Sequence, residues 1–269
     1  MRTFSWVLVL AAACGPGSGS GPDATGGDDA AVGDADPLID APPLPSGPVN
    51  VVITADNAYS FGYGTATSID HFTQGVRADG PAIFDCPINY GPESYVVPEA
   101  DAPPTAFLYI IAWDDLQYTQ GVLAEFSRLN ATVLTGDPGF EVCATGLDYS
   151  TGPDAQTGPS LQTINAEIAR CNAGTGDAAT SSKGWVNSAG AVTPGANGIL
   201  ALGETNEDAG GTFPIVCHPT ATDPGVRPAA RWMWYDPNDG VQQDPFWATG
   251  ANRYKAFQIF RLGVSNIIF

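Results

Sequence analysis

Positive charge is scarce in this chain. Ten lysines and arginines stand against 29 aspartates and glutamates, giving a formal charge of −19 at neutral pH. A nucleic-acid binder displaces counterions with a basic stripe, and none exists here, so no nucleic-acid partner is expected. Direct electrostatic attraction to anionic lipid is excluded on the same ground. Histidine is rarer still, with only His71 and His218. No GxSxG elbow, HExxH, P-loop or dinucleotide glycine pattern occurs, and neither histidine lies in a local signature of nucleophilic catalysis. Long apolar runs are missing too. The N-terminal stretch Phe4 to Ala13 has about half of the ~20 residues that a membrane-spanning helix needs. No repeat of solenoid or propeller period is visible.

What the chain does contain begins at its start. Arg2, the uncharged stretch Phe4 to Ala13 and the small residues before Cys14 follow the order of a secretory signal. The run Leu10-Ala11-Ala12-Ala13-Cys14 resembles the lipobox of bacterial lipoproteins, with Ala11 where leucine is usual and Leu10 one step further out. That resemblance implies a signal peptide over 1–13, cleavage before Cys14 and acylation of Cys14. The chain would then be held in the cell envelope, its membrane partner reached through a lipid anchor. Gly15 is not the aspartate associated with inner-membrane retention, which favours the outer membrane. The rival is an ordinary cleaved signal with an incidental cysteine. Several acyl chains on one residue anchor stably because each buried methylene adds about 0.8 kcal/mol.

Residues 14–47 read as a lipidated cysteine followed by a tether. Gly15 to Gly47 is almost entirely Gly, Pro, Ala, Ser and Asp, with six aspartates and no lysine or arginine. Such a segment buries too little apolar surface to offset the entropy of ordering, so it is expected to be disordered. Charge repulsion and the Pro42-Pro43 pair should keep it extended.

Residues 48–269 supply 222 positions, enough for one domain with its own core. Short β-branched or aromatic runs predict strands at Val49 to Thr54, Phe107 to Trp113, Val122 to Phe126, Arg231 to Tyr235 and Lys255 to Leu262. Gly, Pro, Asp and Asn separate them, which indicates a mainly β, two-sheet sandwich. Phe107 to Trp113 is apolar on both faces, as a strand inside a packed structure should be. One inserted helix is predicted over 161–171, where Leu161, Ile164 and Ile168 form a narrow apolar stripe with Cys171 near it. Pro159 suits its first turn and Gly174 its end. The C-terminal Phe269 invites comparison with outer-membrane barrels, but the strands are too short and too few for one.

Beyond Cys14, four cysteines remain: Cys86, Cys143, Cys171 and Cys217. An even number in an exported chain reads as two disulfides, with three pairings open. Cys143–Cys171 with Cys86–Cys217 is favoured, because the first closes the shorter loop around the helix. The wide spacings and the two histidines argue against zinc.

An ordered set of short segments then resembles bacterial galactose-binding-like β-sandwiches. Thr54-Ala55-Asp56-Asn57-Ala58-Tyr59 is similar to their TADNAY opening, and Gly121-Val122-Leu123-Ala124-Glu125-Phe126 to their GxLAE strand. Thr135 to Val142 is similar to a TDxxWKV segment, Gly184-Trp185-Val186-Asn187 to a GWN segment and Ala230-Arg231-Trp232-Met233-Trp234 to an ARWIW strand. Phe257 to Leu262 matches an aromatic-Arg closing strand. Phe61-Gly62-Tyr63-Gly64 departs from the family's YVNG hairpin, and the four cysteines and the helix are additions. The resemblance implies a jelly-roll, galactose-binding-like fold and does not name a ligand.

Aromatics are the strongest functional lead. Trp113, Trp232, Trp234 and Trp247 fall at strand ends or in loops, where an indole face can stack on a sugar ring. Trp232 and Trp234, two apart, share a strand face; their competing role is core. Trp247, in the loop Asp244-Pro245-Phe246-Trp247, is the one expected to be exposed. Asp56, Asn57 and Asp114 complete the candidate ligand set. Oxygen ligands are abundant enough for a structural calcium ion, although no EF-hand spacing occurs, and no other cofactor is expected. The expected function is a non-catalytic binding domain for carbohydrate, with glycans or other envelope proteins as partners. The alternatives are a glycoside hydrolase using two carboxylates, which spacing cannot reveal, and a structural or adhesive envelope protein without a small ligand.

Overall fold

Val49, Val51, Ile53 and Ala55 are buried while Asn50 between them is exposed, the period-two pattern of a half-buried strand. They belong to β1 (Val49–Asp56), the first strand of a computed structural model that describes residues 46–56, 58–77, 83–84, 92–113, 119–149, 157–176, 181–221, 224–238, 240, 244–247 and 256–267. All lie in the unit Pro43–Phe269. The expected signal, Cys14 and tether, and also Asn57, Cys86 and Asp114, lie outside the described residues.

The remaining elements are β2 (Ala58–Gly64), β3 (Ile69–Arg77), β4 (Glu93–Val97), β5 (Phe107–Trp113), β6 (Gly121–Arg128), β7 (Ala131–Leu134) and β8 (Phe140–Asp148). They continue with helix α1 (Leu161–Ala173), β9 (Val186–Asn187), β10 (Gly190–Ala191), β11 (Ile199–Thr205), β12 (Arg231–Asp236) and β13 (Ala256–Gly263). One sheet runs β11-β12-β6-β1-β4, with β7 also paired to β6; the other runs β10-β9-β8-β13-β5-β2-β3. Every strand pairing described is antiparallel. The protein is a two-sheet β-sandwich with one α-helix among the described residues.

Between the sheets, Val51, Ile53, Phe61, Ile110, Phe126 and Phe260 belong to one buried apolar cluster. A second cluster joins Ile111, Trp113 and Ile259 to Ile164, Ile168 and Cys171 of α1. This explains why Phe107 to Trp113 is apolar on both faces: one face meets the opposing sheet and the other meets the helix. The expected stripe is the buried one, with Ile164, Ile168 and Cys171 inside. Asn165, the polar break in it, is matched rather than tolerated. It accepts from the Ile69 N–H at 2.8 Å and donates to the Ile69 carbonyl at 3.1 Å, completing the free edge of β3. The helix start differs from expectation: Ser160 caps it, accepting from the Thr163 N–H, so Pro159 precedes the helix instead of filling its first turn. Gly174 ends it with φ 66°, two residues later than the stripe alone predicts. Cys143 and Cys171 form a disulfide that pins this helix to β8. Cys217 is also disulfide-bonded.

The chain crosses between sheets at Asp56 and Ala58. Strand β2 folds back over β1, since the Tyr59 hydroxyl reaches the Ile53 carbonyl at 3.4 Å and Phe61 packs on Tyr95, the neighbour of Val51, at 4.8 Å. Two poles follow. One carries Asp56, Trp113 and Gly121; the other carries Val49, where β1 begins, with Val97, Gly64 and Phe107.

Candidate functional site

The Asp56 pole holds the one strongly exposed tryptophan among the described residues. Trp247 is 41% exposed and bridges to Thr119, whose hydroxyl donates to the Asp56 carboxylate. Its mount is firm. Asp244 caps the turn by accepting from the Phe246 N–H at 2.9 Å, and the Gln120 side chain donates to the Pro245 carbonyl at 2.6 Å. The Phe246 carbonyl accepts from the Gln120 N–H at 3.0 Å. Phe246 is buried edge-on against Phe213, which lies flat on Trp232 at 4.0 Å and 12°. Phe246 therefore anchors the loop while Trp247 remains outside. Gln120 is wholly buried, and its Oε1 has no hydrogen-bond partner among the described residues.

The other three candidate tryptophans correct the sequence-based expectation. Trp113, Trp232 and Trp234 are at most 1% exposed and none can stack on a ligand. Trp232 is covered by Phe213, from an irregular segment, and Trp234 meets Phe260 of the opposite sheet at 6.0 Å. Trp113 is pressed between glycines, since a Cβ on Gly75 or Gly158 would overlap its indole. Asp56 is buried at 5%, yet stands beside Thr119 and so beneath the Trp247 loop.

Sequence reasoning missed a cleft at the opposite pole, about 200 Å³ in volume. Tyr63, Gly64, Asp70 and His71 from β2 and β3 line it together with Ala100 and Asp101 from the short 3-10 helix Glu99–Asp101. Tyr63 and His71 stack at 4.6 Å and 14°, and His71 Nε2 lies 3.8 Å from Asp101 Oδ1. Burial, then the Asp101 carboxylate, push the Tyr63 phenol up from its ordinary range. These residues come from three separate segments, so no motif announces them.

The other shifted carboxylates are structural. Glu93 accepts from the Tyr59 hydroxyl at 2.5 Å, and burial raises its carboxyl. Glu125 is likewise raised by burial, and is paired with Arg227 at 3.3 Å. His218 donates from Nε2 to the Asn206 carbonyl at 3.0 Å. Among the described residues no group of three or more His, Cys, Asp or Glu is placed to hold a metal ion.

Fold and site thus define a two-sheet antiparallel β-sandwich with an aromatic platform at one pole and a small acidic cleft at the other. Comparison with protein-family models, with curated proteins and with solved structures finds no match.

Proposed function

We propose that this is a lipid-anchored protein of the cell envelope whose sandwich domain binds carbohydrate without transforming it. The observation that carries the reading is Trp247, left 41% exposed beside a buried Phe246 on a hydrogen-bonded turn. Two-fifths of a tryptophan surface is roughly 100 Å², and covering it is worth about 2.5 kcal/mol. A sugar ring is a partner of suitable chemistry, having an apolar face for the indole and hydroxyls that can donate to acceptors. Gln120 and Asp56 are buried beneath the platform and hold it in place rather than reaching a ligand. Neutral glycans also avoid the repulsion that a charge of −19 imposes on anions. The lipobox-like run ending at Cys14 supports anchoring, and Gly15 supports the outer membrane.

A glycan array followed by calorimetry on Trp247→Ala tests this. Binding should weaken about 60-fold, the equivalent of the contact area lost. Thermal stability should stay within about 0.5 kcal/mol of wild type, as for a surface change. Trp232→Ala is the contrast, costing about 3–5 kcal/mol of stability. An empty array with folded protein, or a large stability loss at Trp247, overturns the proposal.

A further inference from the structure

The cleft beside Tyr63 has a composition of its own. At about 200 Å³ it falls below the roughly 300–1,000 Å³ of sites that enclose drug-sized ligands, so it suits one side chain or a very small molecule. Its ionisable lining is Tyr63, Asp70, His71 and Asp101, with no lysine or arginine. Two elements contribute one carboxylate each: Asp70 stands on β3 and Asp101 on the 3-10 helix. An anion would meet both negative charges in a strongly acidic molecule. A metal ion lacks the ligand set noted above. The stacked Tyr63 and His71 rings supply a flat π surface beside these carboxylates.

A planar cation satisfies all of these features at once. Guanidinium is weakly hydrated, stacks on aromatic faces and bonds carboxylates through a fork of N–H donors, whereas ammonium is a strongly hydrated point charge. The protein already holds one guanidinium in this manner. Arg261 lies 3.8 Å over the Trp185 ring and 5.1 Å from the Phe107 ring, with its Nη2 2.6 Å from Glu141.

We propose that the cleft lined by Tyr63, Asp70, His71 and Asp101 binds a guanidinium group. It does so by stacking on the aromatic pair and by hydrogen bonding to the two carboxylates. This site lies at the pole opposite Trp247 and does not depend on carbohydrate binding.

The test uses the full chain titrated by calorimetry with N-acetyl-arginine methylamide and with its neutral isostere N-acetyl-citrulline methylamide. Methylguanidinium is added to distinguish a free guanidine from an arginine within a peptide. The arginine compound should saturate a single site. The citrulline compound should bind about tenfold more weakly or not at all, a difference of 1.4 kcal/mol. Asp101→Asn, partly exposed, and Asp70→Asn, exposed, are nearly isosteric and should each reduce arginine-compound affinity about tenfold with an unchanged thermal midpoint. Tighter binding of methylguanidinium than of the arginine compound assigns the site to free guanidines, and the reverse assigns it to a peptide. Trp247→Ala should leave the titration untouched, separating this outcome from that of the glycan experiment. Equal binding of arginine and citrulline compounds, or no saturation by either with folded wild-type protein, overturns the proposal.

Discussion

Glu93 shows how much of this molecule is decided by burial of single groups. Its carboxylate accepts from Tyr59, whose hydroxyl also meets that of Tyr95 at 2.9 Å, inside the sandwich. Burial raises the Glu93 carboxyl above its ordinary 4.5 more than the Tyr59 hydrogen bond lowers it. The native state therefore holds this proton more tightly than the unfolded chain does. The resulting stabilisation is complete below pH 4.5 and is lost as pH rises through the raised value. Glu93→Gln retains a carbonyl acceptor for Tyr59 and cannot ionise, so its urea midpoint should fall less than wild type's between acid and neutral pH. Parallel profiles would contradict the assignment. Burial likewise raises the Tyr95 phenol to about 12, so its phenolate absorbance should appear well above the range of free tyrosine. None of this was legible in Glu-Ser-Tyr-Val-Val, because the partners are 34 and 36 residues away from Tyr59. The tryptophans split for a similar reason. A Pro-Phe-Trp loop signals exposure of Trp247 locally, whereas the burial of Trp232 depends on Phe213, supplied by a distant irregular segment.

Elements were legible where their pattern was local and dense. β1, β5, β6, β12 and β13 are continuous β-branched or aromatic runs, and the α1 stripe repeats at helical spacing. β2, β3 and β8 carry glycine and polar residues and declare themselves only through pairing. β3 in particular is an edge strand whose free backbone is completed by Asn165 of the helix. The helix is held by its apolar stripe, by Asn165 and by the Cys143–Cys171 bond, which closes a 28-residue separation. A crosslink over that length contributes about 3.5 kcal/mol through the unfolded chain. Replacing both cysteines by alanine should lower unfolding free energy by about that amount, measured in urea without reductant. Gly158 tests the packing beneath. At φ 69° and against the Trp113 indole, a methyl group there meets both backbone strain and overlap. Gly158→Ala should cost about 2–4 kcal/mol, and a neutral result would mean that the loop shifts freely away from the tryptophan.

At the scale of the whole molecule, the arched path of β1 into β2 separates the two candidate sites. Eight strand residues span roughly 25 Å at the usual rise per residue. That exceeds the Debye length of about 8 Å at physiological salt, so charge bound in the cleft is screened from the Trp247 platform. The poles also differ in their relation to the chain. β1 begins at the cleft pole. Under the proposed anchoring through Cys14, attachment and glycan binding should be separable. Cys14→Ser should abolish fatty-acid incorporation and leave the protein in soluble or uncleaved form. The soluble protein should bind the same array glycans with unchanged affinity by calorimetry. If wild-type protein stays soluble with no lipid adduct by mass spectrometry, the anchoring through Cys14 is overturned. If release weakens binding in solution, the platform needs the membrane-held arrangement and the separation of poles is not functional.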